Sequence, residues 1–517
     1  MIQEKSEDGI VPEGRRKSVQ TPKRSGGGKA VPVEEQMEQL ELPFMTAENP
    51  QGTTDEPVGD RSPTGSHEEP KMKDKEGKAP SATMERVVER LYKAFVKVAQ
   101  NDGAPGPDGQ TVEDVKKSLS KVIRELERKL VAGTYQPGEI RRKNIPKAGG
   151  GERGLGIPNV VDRIVQEAVR QTLEPLYEPE FHGSSHGFRP GRSCQTAIRE
   201  AHQYVSEGYD WVVDIDLEKF FDRVNHQRLM AVLGRKIGDD RLLKVIHRML
   251  KSEVVMPEGV VVRTEEGVPQ GGPLSPLLSN IVLDELDREL ERRDLRFVRY
   301  ADDCNVFVRS ERAGKRVMTS LKSFIERRLR LKVNEGKSAV ARPRERHFLG
   351  FRLEDETPDG EVDIRLSKRT CERIEARLRE MTPRNWGRSI KACVEKLNTY
   401  LQGWLGFFSI VSEREVSKLG SLDAHLRRRL RAMHLKQWKR KETMRKRLER
   451  LGVRGKTARK VLYEGRKSIW ALSISSAAHV GLSNRYFTEL GLYSLKENWS
   501  RKQGSVVVPT QMALPLG

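Results

Sequence analysis

The chain has 517 residues and a formal net charge of +21, which leaves room for two to four domains with a sizeable core and points to a polyanionic partner. Its four cysteines, Cys194, Cys304, Cys371 and Cys393, lie far apart with no Cys-x-x-Cys pair, which excludes a zinc ribbon or a disulfide framework and suits a reducing cytosol. No run approaches about 18 apolar residues, and the acid-rich N-terminus has no apolar signal core, so neither a membrane span nor an export or transit segment is expected.

The charge is unevenly spread. Residues 1–80 carry 12 Lys and Arg against 16 Asp and Glu, which leaves +25 for the remainder. This opening stretch is poor in apolar residues and is expected to be a disordered tail over 1–81, because it buries too little to offset its ordering entropy. One island interrupts it, Gln39-Leu40-Glu41-Leu42-Pro43-Phe44. From Ala82 a helical pattern (Val87, Val88, Leu91, Phe95, Val98) leads to a Gly/Pro/Asp turn at 103–109. A second helix follows, with Val115, Leu119, Val122, Leu126 and Leu130 on one face. Residues 145–158 then read as two short strands joined by a glycine hairpin that presents Lys147 and Arg153. Two cations on a flexible loop suit a triphosphate, and an ordinary polar hairpin is an equal reading of the same residues. His182 and His186 have i, i+4 spacing, but the Gly183-Ser184-Ser185 between them opposes a helix, so they are expected not to bind metal.

Trp211-Val212-Val213-Asp214-Ile215-Asp216 reads as a buried strand ending in carboxylates. Gly267-Val268-Pro269-Gln270-Gly271-Gly272-Pro273 reads as a loop opening a long amphipathic helix, its glycines letting a nucleotide lie against backbone. Phe297–Val308 reads as a hairpin whose Tyr300-Ala301-Asp302-Asp303 corner puts two carboxylates at its tip. Such a tetrapeptide alone usually means a solvated turn. Next to a strand ending in Asp it makes a site for two divalent cations, which in phosphoryl transfer sit about 3.5–4 Å apart and stabilise both the attacking and the leaving oxygen.

In this order the blocks resemble the reverse transcriptases encoded by bacterial and organellar group II introns, the intron maturase family. The resemblance spans roughly residues 82–500. It also rests on Gly187-Phe188-Arg189-Pro190-Gly191-Arg192-Ser193, Asn334-Glu335-Gly336-Lys337-Ser338 and Phe348-Leu349-Gly350-Phe351. It implies metal ligation of two Mg²⁺ by Asp216, Asp302 and Asp303. Asp214 is the rival for the first place, and the Asp-x5-Asp spacing from Asp216 to Asp222 favours Asp216. The resemblance further implies triphosphate contacts at Lys147 and Arg153, a nucleotide pocket at Gln270 and Gly271, an aromatic gate against a ribose 2′-hydroxyl at Phe221, and a Lys337 that protonates pyrophosphate. Tyr300 and Phe221 separate the chain from RNA-dependent RNA polymerases, and Gln270–Pro276 separates it from diversity-generating enzymes.

The second half is helical and basic. Leu397–Phe408 resembles the maturase thumb, with Trp404 and Phe407 expected as core aromatics. Residues 425–467 hold 18 basic residues against 3 acidic, more one-sided than a solvated face, and Arg427, Arg428, Arg429, Arg431, Lys439, Arg440 and Lys441 are the expected nucleic-acid contacts. Many relatives continue into a zinc-dependent His-Asn-His endonuclease, which is not expected here.

The expected architecture is α+β, a right-hand polymerase with fingers and an antiparallel palm over 82–365. A helical thumb follows over 366–437, then a basic region over 438–500 and a tail over 501–517. The expected function is RNA-directed DNA synthesis with maturase activity: binding a group II intron RNA to assist splicing, and copying it from dNTPs into target DNA during retrohoming, in a bacterial cytoplasm at the nucleoid. Two alternatives are a splicing-only maturase and a host-recruited enzyme of repair or phage defence. The island Gln39, Leu40, Leu42, Phe44, echoed by Gln511–Leu516, resembles peptides that dock on the bacterial sliding clamp.

Overall fold

The computed structural model describes residues 81–146, 152–355, 359–385, 387–465 and 467–504. The expected tail over 1–81 falls outside that set but for residue 81, as do the Gln39–Phe44 island, Lys147 and residues 505–517, whereas residues 501–504 of the expected second tail end the Leu495–Gly504 helix. The helix expected from Ala82 spans Met84–Gln100. Thr83 caps it by accepting the Arg86 amide, and Met84, Val87, Leu91, Ala94, Phe95 and Val98 form its buried stripe, which packs on the Val160–Tyr177 helix. The second expected helix is instead two. A Thr111–Asp114 capping box opens Val112–Lys117, and the backbone breaks at Ser118 before Leu119–Val131.

Strands β1 (Ile140–Pro146) and β2 (Glu152–Ile157) form the expected glycine hairpin, pairing from Arg141 with Ile157 to Pro146 with Glu152. β3 is Trp211–Ile215, and the short β4 (Val254–Val255) and β5 (Val261–Val262) extend the first sheet in the order β2-β1-β4-β5. β6 (Arg296–Tyr300), β7 (Asp303–Val308) and β8 (Ala339–Ala341) build a second sheet around β3, in the order β6-β7-β3-β8.

In this second sheet β3 runs antiparallel to β7, with Ile215 opposite Cys304 and Asp214 opposite Asn305. Because side chains alternate along a strand, Val213, Ile215, Cys304, Val306 and Val308 share one face. They join the buried core with Leu278, Ile281 and Leu286 of the Ser275–Arg292 helix. The other face carries Asp214, Asn305 and Asp303, and the strand-end Asp216 falls on it.

A third pair, β9 (Phe351–Glu354) with β10 (Asp363–Leu366), ends the strands of the described residues. From Lys368 onward the described chain is helical, beginning with Lys368–Met381, Ile390–Phe408 and Val416–Gln437. Trp404 is buried as expected, and Phe407 is half-buried. Phe351 of β9 lies 6.0 Å from the Phe407 ring and 5.1 Å from that of Phe408, while the Phe407 carbonyl accepts from Gln195 Nε2 at 3.0 Å. Aromatic packing thus holds the helical half against the sheet domain. Among the described residues no helix is long and apolar enough to cross a membrane.

Candidate active site

The tip of the β6–β7 hairpin is a two-residue turn, Ala301-Asp302, with Tyr300 paired to Asp303. Ala301 has φ +55°, a left-handed conformation that costs a residue with a Cβ about 1 kcal/mol and persists only where its surroundings fix it. Two features fix it here. Gly187 lies against the Ala301 amide so closely that an added Cβ would collide with it. Arg299, fully buried, donates to the Ala301 carbonyl at 2.9 Å. The same guanidinium donates to Asp287 Oδ1 at 2.7 Å, Asn280 Oδ1 at 3.0 Å and Ser185 Oγ at 2.7 Å. His186 and Ser184 complete the buttress by pairing with the Arg299 backbone, His186 N to Arg299 O at 2.8 Å and Arg299 N to Ser184 O at 2.9 Å. A buried charge with this many partners is a rigid strut beneath the turn.

Asp216 follows β3 and is held by its backbone, its amide donating to Ser338 Oγ at 3.0 Å and its carbonyl accepting from Asn334 N at 2.8 Å. The Asn334–Ser338 loop thereby brings Lys337 Nζ to 3.7 Å from the Asp216 carboxylate. Asp214 is engaged otherwise. Arg346 donates to it through Nε at 2.8 Å and to the Lys337 carbonyl at 2.7 Å, so Asp214 anchors the loop and Asp216 is the strand-end carboxylate beside the hairpin. Asp303 is exposed, with the carboxylates of Asp302, Asp214 and Asp216 acting on it. Desolvation, then the charges of Asp302, Asp214 and Asp216, push its pKa up to about 7. Desolvation, with Asp216 adding to it, also raises that of Asp302. Neighbouring carboxylates of this kind offer the hard oxygen donors that a divalent cation takes. Among the described residues no three ligands converge tightly enough to enclose an ion as they stand. The fit therefore rests on donor chemistry and on strand register.

Two families match this chain. Reverse transcriptase (RNA-dependent DNA polymerase) matches residues 145–353, and the group II intron maturase-specific domain matches residues 371–452. Protein YkfC of Escherichia coli (strain K12) is 33% identical over 288 residues, covering 48% of this chain and 75% of that one. The chain belongs to the group II intron reverse transcriptase/maturase family. Group II intron-encoded protein LtrA of Lactococcus lactis subsp. cremoris is 38% identical over 216 residues, 40% of this chain and 34% of LtrA. The match thus spans about a third of LtrA. Nuclear intron maturase 4, mitochondrial, of Arabidopsis thaliana is 33% identical over 142 residues, covering 28% of this chain and 18% of that one.

The remaining expected residues of this reverse transcriptase divide. Arg153 is exposed on β2, and its charge acts to lower the Asp302 pKa. Phe221 is half-buried in the short Phe220–Arg223 helix, its ring 5.1 Å from that of buried Phe220, and its carbonyl accepts from Val268 N at 2.6 Å. Gly271 is exposed on one side and packed on the other. Gly271, at φ +115°, is pressed against the Gly156 carbonyl, and Gly156 N donates to the Gln270 carbonyl at 2.6 Å. These two residues therefore pin the finger hairpin to the palm loop through backbone contact. His186, expected not to be a ligand, is bonded to Glu200 through Nε2 at 2.6 Å and to Thr196 through Nδ1 at 2.9 Å.

The basic run needs correcting at two positions. Arg431 is buried and donates to the Leu482 carbonyl at 2.8 Å. Arg429 donates to the Arg379 and Thr382 carbonyls, each at 2.9 Å. Arg431 is spent inside the protein and half-buried Arg429 on carbonyls near its surface, because helix ends and turns leave carbonyls that a guanidinium fork satisfies. Arg428 stacks 4.0 Å over Trp470, Arg427 is half-exposed, and Lys439, Arg440 and Lys441 are exposed.

Arg299, Asp287, Asn280 and Arg346 were not among the expected site residues. A signal existed for the first. An Arg inside the apolar strand Phe297-Val298-Arg299-Tyr300 must be paired if it is buried.

Proposed function

We propose that this chain synthesises DNA on an RNA template through Asp216, Asp302 and Asp303, and that it binds a group II intron RNA, assists its splicing and copies it into target DNA. The observation that carries the reading is the meeting of the β3 end with a strained, buttressed Asp-Asp turn on one face of the palm sheet. The three carboxylates would hold two Mg²⁺, which supply Lewis-acid stabilisation of the attacking and leaving oxygens. Arg153, and Lys147 outside the described residues, neutralise the triphosphate of the incoming dNTP. Phe221 packs where a 2′-hydroxyl would project. Lys337, largely exposed beside Asp216, hands a proton to the departing pyrophosphate. Arg427, Arg428, Lys439, Arg440 and Lys441 take up RNA phosphates. In this reading the enzyme works in a bacterial cytoplasm at the nucleoid, and Gln39, Leu40, Leu42 and Phe44 tether it to a sliding clamp.

Purified protein given an RNA template, a DNA primer, dNTPs and Mg²⁺ should extend the primer, and chelation of Mg²⁺ should abolish extension. Absence of extension, or extension indifferent to chelation, overturns the reading. Phe221→Ala should raise ribonucleotide incorporation while keeping dNTP use; unchanged discrimination assigns the gate elsewhere. A peptide spanning 35–46 should bind purified clamp by calorimetry with micromolar affinity, and no heat from peptide or full chain removes the tether.

A further inference from the structure

Phe188 is an apolar residue in a conformation and an environment that both disfavour it. Its φ is +60°, a left-handed geometry that is an outlier for a bulky side chain. Burial would normally offset such strain, yet Phe188 remains 48% exposed. The conformation is imposed from both sides. Before it, Gly187 is wedged against the catalytic turn and its carbonyl accepts from Asn280 Nδ2 at 2.8 Å. After it, the guanidinium of Arg189, itself 8% exposed, donates to Glu178 Oε1 at 2.9 Å, the His182 carbonyl at 2.6 Å and the Ser185 carbonyl at 2.8 Å. With its neighbours clamped, the Phe188 ring is thrown outward, its centroid 6.5 Å from the Tyr300 ring and inclined at 47° to it. Tyr300 is the residue before the Ala301-Asp302 turn and is half-buried.

Neither backbone preference nor packing accounts for an aromatic at this position. Strain that the surroundings hold in place beside reacting groups is the signature of a group kept ready for a ligand. The ligand that must lie here follows from the chemistry. Nucleotidyl transfer at Asp302 and Asp303 requires the 3′ oxygen of the primer at the hairpin tip, so the last primer nucleotides pass the Tyr300 end of the same hairpin. We propose that Phe188 is a positioning residue whose ring packs on the terminal nucleotide of the primer strand and holds its 3′ end over the carboxylates. An aromatic face suits that task because every base presents a π-face, so the contact tolerates any primer sequence. The inference rests on the reading above that the chain extends a primer.

The test is a substitution set with two readouts. Phe188→Gly suits the left-handed backbone, so its melting temperature should equal or exceed wild type. The half-life of its complex with an RNA template annealed to a DNA primer, measured against a competitor trap, should fall by about 5- to 30-fold, and Phe188→Ala should lose a similar factor. Phe188→Tyr should stay within about twofold of wild type. An abasic nucleotide at the primer 3′ end should cost wild type a comparable factor and cost Phe188→Ala nothing further, because the two changes remove the same stacking interaction. Full loss in both backgrounds overturns the proposal. So does coupling to an abasic site in the template instead, which assigns the ring to the other strand. A Phe188→Gly protein that melts lower and binds normally gives the ring a packing role and overturns it too. These outcomes arise with a wild-type enzyme that extends primers; a wild type that does not fails the functional reading first.

Discussion

The palm hairpin and the basic run of the helical half are built from the same kind of residue put to opposite uses. In the palm one arginine, Arg299, is sunk completely and carries Asp287, Asn280, Ser185 and the Ala301 carbonyl on its guanidinium. In the run over 425–467 many arginines share one segment, and the structure divides them. Buried Arg431 and half-buried Arg429 close backbone carbonyls, while Lys439, Arg440 and Lys441 stand in solvent. Charge counted along a sequence treats these cations alike. What separates them is whether an unpaired acceptor lies within reach when the helix packs.

That contrast can be broken in four places. The largest effect is expected at the strut. Arg299→Ala leaves Asp287 buried and unpaired, which should destabilise the fold by about 3–5 kcal/mol in denaturant unfolding, whereas Arg299→Met with Asp287→Leu should recover much of it. An Arg299→Ala loss under about 1 kcal/mol would mean that the buttress is dispensable. Next, Arg431→Ala strands the Leu482 carbonyl and should cost about 1–3 kcal/mol while leaving the salt dependence of RNA binding unchanged. The converse triple change, Lys439→Glu, Arg440→Glu and Lys441→Glu, should leave the melting temperature within a few degrees. It should flatten the slope of log affinity against log salt by roughly one unit for each phosphate that these side chains no longer neutralise. If Arg431→Ala moved the slope and the triple change did not, the roles of buried and exposed cations would be reversed.

The smallest effect is a pH dependence in the helical half. His434 is buried against Trp438 and Tyr486, and burial depresses its pKa to about 4. Between about pH 6.5 and pH 4 the unfolded chain binds a proton that the folded one refuses. Stability attributable to His434 is therefore intact above pH 6.5 and is lost as pH falls through that window, by at most a few kcal/mol. His434→Gln should flatten the acid limb of the stability curve over that range; an unchanged limb would place the titrating groups elsewhere.

The legible parts of this chain were those in which local chemistry forces one geometry. Apolar residues on both sides of an Ala-Asp-Asp corner gave the hairpin, and a strand ending in Asp gave its partner; neither needed knowledge of what lies behind. The Gly/Pro punctuation at 103–109 marked the end of the first helix for the same local reason. Hidden were features that depend on distant approach. Ser118 breaks the second helix although the apolar period runs through it, its backbone at φ −116° and ψ 20° lying outside the helical region. The backbone contact of Gly271 with Gly156, more than a hundred residues away in the chain, could not be read from either stretch. Arg429 and Arg431 read as nucleic-acid contacts because their acceptors at Thr382 and Leu482 come near only when the helices pack. Asp214 and Asp216 were two candidates for one place, and Arg346, more than 130 positions beyond Asp214, engages one of them.

The central claim is that DNA synthesis depends on Asp302 and Asp303, held at a buttressed turn beside Asp216. The direct test is primer extension on an RNA template by Asp302→Ala and Asp303→Ala proteins, with RNA affinity measured in parallel. Losing such a carboxylate removes several kcal/mol of transition-state charge stabilisation, so extension should fall to at most a few per cent of wild type while RNA affinity stays within about twofold. Extension clearly above that level in either variant, with wild-type RNA affinity, would contradict the assignment of the site.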